Sequence, residues 1–410
     1  MRSHLIIKAS MVAAMAMFSP ASADSIVTKA GKLNAETMTK LDHPWSFALL
    51  PDDRLLITEK TGSVRTFDGK TLSEPLAGVP KVAYRAQGGL LGIALHPDFS
   101  TNNLVYLSYV EAAEQQPAGA KDPGDPRLGE YQQLDDVTLK GLAVARGRLD
   151  GTALKDVTVI WRQQPKTVGR GHFGGQLVFA PDGKLIVTSG DRQRFDPAQD
   201  PAANVGKIVR INDNGSLPED RVFADQSKGS QDILSLGHRN PLGISIDPKT
   251  GIIWEHEMGP KGGDEVNVIE KGANYGWPLV SEGSHYDDKE IPSHSDNQKF
   301  KAPVLSWNPS ISPSGLIFYQ GNLFPTWTGK ALMGGMSSKA LFVLGLSDDQ
   351  GEVEERIGMG FRVRDVIEAR DGSLFILKDH QDADEKNNVA EDEGALIHLT
   401  PARERATEAR

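Results

Sequence analysis

The chain has 410 residues, 39% of them apolar, with 42 glycines, 24 prolines and no cysteine. That is enough apolar mass for a substantial core and enough turn residues for many short strands, while disulfides, thiolate metal sites and a cysteine nucleophile are excluded. The formal net charge of −10 argues against a nucleic-acid partner.

The first element is a leader. Arg2 and Lys8 are basic, residues 9–18 are apolar, and Ala21-Ser22-Ala23 is a small-residue cleavage signature before Asp24. We read residues 1–23 as a cleavable export signal. The apolar run is too short to span a bilayer, and no later segment approaches the roughly 20 apolar residues a membrane helix needs. Removing Arg2 and Lys8 from a net charge of −10 leaves −12. Export without cysteine fits a bacterial periplasm.

Beyond the leader one element recurs: an apolar strand, a turn of Pro-Asp-Gly character, and a second apolar strand. Copies begin at Leu49 (LLPDDRLLIT), Leu95 (LHPDFSTNNLVYLS), Phe179 (FAPDGKLIVTS), Ile246 (IDPKTGIIW), Tyr319 (YQGNLFPTWTGKALM) and Glu368 (EARDGSLFIL). Each reads as a β-hairpin. Six hairpins at blade-sized spacing predict an all-β, six-bladed β-propeller over residues 24–410 as one domain, with a sandwich or barrel as the alternative. Residues 111–136 and 281–301 read as long loops shaping a pocket rim, with His285 and His294 as solvated loop residues. The charged tail after Pro401 reads as frayed.

Several residues fit chemistry. His172 stands in GRGHFGGQLVF, where glycines permit close approach of backbone to a ligand. Asp191, in VTSGDR, ends the hairpin that His172 begins, so antiparallel pairing can bring its carboxylate to the imidazole. On the residues alone, a structural histidine and a turn aspartate remain open. Arg362 and Arg364 alternate along a predicted strand and so face the same way. Either an anion or a nearby carboxylate answers them. Arg239-Asn240 can grip a carboxylate or polarise a carbonyl. The Gly259-Pro260 turn and Glu265 offer oxygens that suit calcium. No GxGxxG stands at a strand-to-helix junction, which argues against a nicotinamide cofactor, and no serine elbow motif appears.

The blocks GHRNPLG, EMGP, DEVN and NYGWP in residues 235–278, with RVRDV around Arg362 and Arg364, resemble the soluble sugar dehydrogenases that use pyrroloquinoline quinone (PQQ), the glucose/sorbosone dehydrogenase group. Similar blocks run from Leu41 to about Leu399. The resemblance implies a six-bladed propeller that oxidises the anomeric hydroxyl of an aldose to the lactone, with PQQ and Ca2+ as cofactors and an unidentified electron acceptor as partner. It implies His172 as general base, Asp191 as its support and Arg239 as stabiliser of charge on the quinone oxygen. Gln87, Gln199, Asn240, Ser310, Lys339, Arg362 and Arg364 match cofactor-site positions. Gly259 and Pro260 match backbone oxygens for the catalytic calcium, and Glu265 and Tyr275 match further calcium positions, Tyr275 through its carbonyl. The pattern departs at Gly171, where some members carry aspartate, at Lys339, which is out of register by one or two positions, and at Ser310, which stands for a threonine. Two other readings use the same architecture: a calcium-dependent lactonase without quinone, and a non-catalytic exported propeller that binds sugar or protein.

Overall fold

The computed structural model describes residues 26–223, 231–384 and 389–402; the export-signal reading falls on residues outside these. The fold is a six-bladed β-propeller. Blade 1 comprises Pro44–Leu49, Leu55–Glu59 and Ser63–Phe67. Blade 2 comprises Leu90–Leu95, Leu104–Ala112, Lys140–Asp150 and Ala153–Arg162. Blade 3 comprises Gly174–Phe179, Leu185–Ser189, Lys207–Ile211 and Ile233–Leu236. Blade 4 comprises Pro241–Ile246, Ile253–Glu257, Asp264–Val268 and Leu305–Trp307. Blade 5 comprises Pro313–Phe318, Ala331–Gly335, Ala340–Ser347 and Gln350–Gly358. Blade 6 takes Val363–Glu368, Leu374–Lys378 and Gly394–Pro401 from the end of the chain and Gly31–Leu41 from its beginning. The last two strands pair antiparallel from Leu33↔Pro401 to Leu41↔Gly394, so hydrogen bonds between the two ends of the chain close the ring.

All six anticipated hairpins are present, and each joins the innermost strand of a blade to its second strand. Two carry more than a turn: Phe99–Asn102 is a short α-helix and Pro325–Trp327 a 3-10 turn. Among the described residues the apolar side chains form seven clusters: one at each blade-to-blade junction, and one of Leu128, Phe195, Ala198, Trp277 and Ile291 under the loops. Leu56 and Val64 of blade 1, for example, pack with Leu90 and Leu107 of blade 2, while Leu91 and Tyr106 face Leu185 and Val209 of blade 3. Both faces of an inner blade strand are therefore buried. This is why runs such as Leu55-Leu56-Ile57 and Leu185-Ile186-Val187 are continuously apolar and do not alternate.

The six innermost strands touch in succession and the sixth closes on the first. Each has a register break near its start, at Pro44/Ser46, Leu90/Ile93, Gly174/Leu177, Pro241/Gly243, Ser314/Leu316 and Val363/Asp365. A bulge bends a strand and re-aims the side chains beside it. Six bulges at one end of the ring turn the residues just before and within them toward the axis, opposite the hairpin turns.

Ring closure gives a direct test. Leu33 is fully buried in the junction of blades 5 and 6 with Leu399 and Leu374. Leu33→Ala is expected to cost about 2–5 kcal/mol, as for other buried Leu→Ala changes, measured by chemical denaturation. A loss well below about 1 kcal/mol would show that the first long strand does not hold the ring shut.

Candidate active site

The bulged ends of the inner strands surround a cavity of about 210 Å3 lined by residues of every blade, among them Trp45, Lys60, Gln87, Phe173, Asn240, Ser312, Arg362 and Arg364. Among the described residues, Lys60, Arg362 and Arg364 are the only charged side chains in this lining, and all are cations. Arg362 Nε and Arg364 Nε both donate to Asp379, at 2.9 and 2.8 Å. Burial and the two guanidiniums act in opposite directions on Asp379, and the guanidiniums win, holding its carboxyl below the ordinary range. One carboxylate thus answers two arginines, and Lys60 remains. Burial, with the repulsion of Arg364 added, pushes the Lys60 ammonium down to about 8. An anion in the cavity would relieve that penalty.

Beside this cavity stands the His172–Asp191 pair. His172 sits in the left-handed backbone region, at φ 52°, a conformation rare outside glycine and a frequent mark of functional loops. Its backbone N–H donates to Gln87 Oε1 at 2.8 Å. Its ring Nδ1 lies 2.6 Å from Asp191 Oδ1. Asp191 is fully buried and also accepts from Trp277 Nε1 at 2.7 Å and from the backbone N–H of Gln193 at 2.8 Å. An ionised carboxylate only accepts, so Nδ1 carries the proton and Nε2 is left as the basic atom. Burial, reinforced by the Arg239 charge, moves His172 below the ordinary histidine value, and Asp191 partly opposes this. Burial alone would raise Asp191, but His172 and Arg239 outweigh it and keep the carboxyl low.

Arg239 borders a second, smaller cavity with Glu257, Gly259, Glu265, Tyr275 and Trp277; Met258 lines both cavities. The guanidinium donates to Met258 O at 2.7 Å and lies 5.4 Å from the Trp277 ring centroid. Glu257 accepts the backbone N–H groups of both Arg239 and Asn240, which fixes the turn that carries them. Asn240 Oδ1 in turn accepts Gly174 N–H at 3.3 Å. Asp264 does the same service for two turns at once: it accepts from Gly259 N–H at 2.9 Å, Ile311 N–H at 2.7 Å and Ser312 N–H at 2.8 Å. Pro260 is buried next to Gly259.

Behind Gly259, two neighbouring strands of blade 4 carry oxygen donors at alternate positions. Glu257 pairs across the ladder with Glu265, and Glu255 with Asn267. All four are buried. Like charges directly opposite on a ladder are destabilising. Burial and the charge of Glu257 hold both Glu255 and Glu265 well above the ordinary carboxyl range. Glu255 Oε1 and Asn267 Oδ1 are buried without a hydrogen-bond partner. Orphaned, crowded oxygens of this kind fit a hard divalent cation such as calcium.

The anticipated residues therefore divide. Gln87, Asn240, Arg362 and Arg364 share the larger cavity; Arg239, Gly259, Glu265 and Tyr275 share the smaller; His172 and Asp191 stand between. Three others are placed differently. Gln199 spends its amide on Asn274 and the Trp277 carbonyl, 3.0 and 2.7 Å away, and so braces the loop that carries Trp277. The Ser310 hydroxyl donates to Asp264 at 2.6 Å, and Ser312, two residues on, lines the cavity in its place. Lys339 is exposed in the turn between two strands of blade 5 and is not part of the lining. His294 is not a solvated loop residue: it is buried, with Nδ1 3.0 Å from Glu282 and Nε2 3.0 Å from the Tyr275 carbonyl. His285 is half-buried against Phe195 and Trp277. At Gly171, a Cβ would lie 2.9 Å from the Gln193 amide carbon, so Gln193 occupies the space of a larger neighbour. Sequence reasoning missed Lys60, Asp379, Trp277, Glu255 and Glu257. The Glu-x-Glu and Glu-x-Asn spacing of 255–257 and 265–267 was the available signal for the last two.

A family model described as Glucose / Sorbosone dehydrogenase matches residues 41–387. Aldose sugar dehydrogenase YliI of Escherichia coli is 37% identical over 90% of this chain and 93% of its own. The apo-form crystal structure of the soluble aldose sugar dehydrogenase from Escherichia coli superimposes with a TM-score of 0.79 at 36% identity, covering 90% of this chain and 100% of that one. Quinoprotein glucose dehydrogenase B of Acinetobacter calcoaceticus is 26% identical over 98% of this chain and 99% of its own. With the propeller, the bulged inner strands and the His172–Asp191 pair in place, the chain belongs to the glucose/sorbosone dehydrogenase family.

Proposed function

We propose that the protein is an exported, periplasmic, PQQ-dependent dehydrogenase that oxidises the anomeric hydroxyl of aldoses to the lactone, with calcium as second cofactor. The observation that carries this reading is the cation-only charge of the cavity lining, one hydrogen bond away from a buried histidine–carboxylate pair. A tricarboxylate ring fits Lys60, Arg362 and Arg364, because guanidiniums suit planar, bidentate recognition of carboxylates. The quinone, when bound, supplies a two-electron acceptor for the hydride released from the anomeric carbon. His172 Nε2 takes the hydroxyl proton, and Asp191 holds the ring in the required tautomer and steadies the imidazolium. Arg239, anchored by Glu257 and Met258, places a fixed positive charge beside that pair, a preorganised electrostatic contribution. Gln87 and Asn240 orient ligand by their amides. Glu255, Glu257, Glu265 and Asn267 would hold calcium, next to the Gly259 turn. A lactonase has no use for a cation-lined cavity of this kind. Re-oxidation requires an external electron acceptor.

Absorbance titration of calcium-loaded protein with PQQ should show saturable binding. In the Arg362→Ala, Arg364→Ala double variant, the loss of two charge-assisted contacts of about 1.5–3 kcal/mol each weakens affinity by roughly 10²- to 10⁴-fold. An affinity that stays within about tenfold of the unmodified protein would sink the cofactor assignment.

Sugar-dependent dye reduction tests the base. His172→Ala should lower kcat by about 10²- to 10⁴-fold while PQQ affinity is retained. The base works when neutral, and burial and Arg239 lower its pKa, so activity should persist to below about pH 6.5 before the acid limb sets in. Asp191 raises the His172 pKa; Asp191→Ala should therefore move that limb to lower pH and reduce the plateau. A limb that moves up instead would contradict this arrangement.

Calcium at 100 times its dissociation constant should stabilise the fold by about 2.7 kcal/mol, read from denaturation with calcium or chelator. The response should vanish in a Glu255→Gln, Glu265→Gln double variant, and an undiminished response there would place calcium elsewhere.

A further inference from the structure

At the seam of blades 1 and 6, on the cavity side of the ring, a second constellation stands apart from the oxygen cluster of blade 4. His43 lies just before the first strand of blade 1, and His380 just after Leu374–Lys378 of blade 6. Their rings stack, with centroids 3.8 Å apart and planes inclined by 26°. His43 Nδ1 is 2.6 Å from Asp42 Oδ1, and Asp42 also accepts from the Thr61 hydroxyl at 3.0 Å. The carboxylate only accepts, so Nδ1 bears a proton, and Nε2 is the outward atom of the ring. Outward lies another acceptor: Asp382 Oδ1, 3.2 Å from His43 Nε2. His380 Nε2 faces the same oxygen at 3.4 Å and Glu391 Oε1 at 3.7 Å.

His43 Nε2, His380 Nε2 and Asp382 Oδ1 thus converge in one small volume, where a single metal ion can be shared by all three. Bonds of about 2.0–2.2 Å to nitrogen and oxygen set the ligand atoms of a tetrahedral site roughly 3.3–3.6 Å apart, and the two spacings about Asp382 Oδ1 lie at 3.2 and 3.4 Å. The ligand atoms of His43, His380 and Asp382 all lie within 4.8 Å of one another. The Asp42–His43 bond is the carboxylate–histidine contact that orients imidazole ligands and raises their basicity. His43 is also held in the left-handed region, at φ 52°, a strained placement that fixes where its ring points.

We propose that His43, His380 and Asp382, with Glu391 as fourth donor, form a site for a divalent transition ion, for which Zn2+ fits the mixed nitrogen and oxygen donors. Paired imidazoles separate this site from the carboxylate-rich cluster of blade 4, where His238 is held between Ser235 and Glu257 and oxygen donors predominate, which suits calcium. The ion would pin the blade 1–blade 6 seam at the edge of the larger cavity. The His43 carbonyl accepts the Lys60 backbone N–H at 2.9 Å, and Asp379, the partner of Arg362 and Arg364, precedes His380 in the chain.

Calorimetric titration of the purified protein with Zn2+, with calcium in excess to keep oxygen sites filled, should show one saturable site. Co2+ should give visible absorption of four-coordinate intensity. His43→Gln and His380→Gln should each abolish both signals. Asp42→Asn, which touches no metal, should weaken Zn2+ binding by about 10- to 100-fold. Asp382→Asn alters a side chain that is 81% exposed, so it tests a ligand without risk to folding, and it should also weaken binding. Absence of saturable Zn2+ binding overturns the proposal, as does binding that is unchanged in Asp382→Asn or in the two histidine variants.

Discussion

The buried carboxylate of Asp191 ties the site together. It holds the His172 ring, the Trp277 indole and the turn at Gln193, and its own backbone N–H donates to the Arg239 carbonyl at 2.7 Å. Those contacts come from four stretches of chain, all of them outside the strands. An ionised carboxylate in so dry a place is tolerable only because both of its oxygens are hydrogen-bonded. The same requirement gives the imidazole its tautomer. The orientation of the imidazole and the docking of the Trp277 loop are therefore one electrostatic solution, not two.

A second consequence follows from the order of the blades. The cationic wall belongs to the first and last blades, through Lys60, Arg362 and Arg364, and the carboxylate ladder belongs to blade 4, which a six-membered ring places across the axis from blade 1. Charges of each sign are thus concentrated on opposite sides of one channel, with Arg239 and the His172–Asp191 pair between. Neither side is fully compensated from within: Lys60 is pushed down to about 8 by burial, and burial and the charge of Glu257 raise Glu255 and Glu265 well above the ordinary carboxyl range. A ligand that is anionic at one end and a divalent cation at the other relieve both penalties. Strain of this kind is a common physical sign of a binding site.

The fold was legible because its signal is local. A Pro-Asp-Gly type turn between two apolar runs specifies a hairpin without reference to the rest of the chain, and six of them state the blade number. Cavity-lining residues set in motif blocks, such as Asn240 and Arg364, were equally visible. What escaped depends on contacts between distant segments. Nothing near Lys60 in sequence says that Arg364 lies beside it, and Asp379 acquires its role only when blade 6 folds back on Arg362. Gln199 and Ser310 were credited with ligand contacts because motif register cannot tell a side chain that faces the channel from one that braces the loop behind it. His294 was read as solvated because its surrounding segment is polar; burial came from the docking of that segment on the Tyr275 carbonyl.

Those bracing contacts share a pattern that explains how a chain without cysteine keeps long loops in place. Arg192, fully buried and stacked 3.8 Å over the Phe173 ring, donates to the carbonyls of Gly169 and Gly171 at 3.1 Å each. Lys207, also buried, donates to the carbonyls of Pro197, Ala198 and Val205. Glu257 and Asp264 collect backbone N–H groups around Arg239 and Gly259. In each case one charged side chain satisfies several backbone groups of a segment outside the strands. Burial makes these charges costly, pushing Arg192 down to about 9 and Lys207 to about 7. The same low dielectric strengthens every bond they make, to about 1.5–3 kcal/mol for hydrogen bonds to charged groups. A loop fastened this way cannot shift by one residue without stranding a buried ion, so the rigidity the chemistry requires is enforced by the penalty for leaving the charge unpaired.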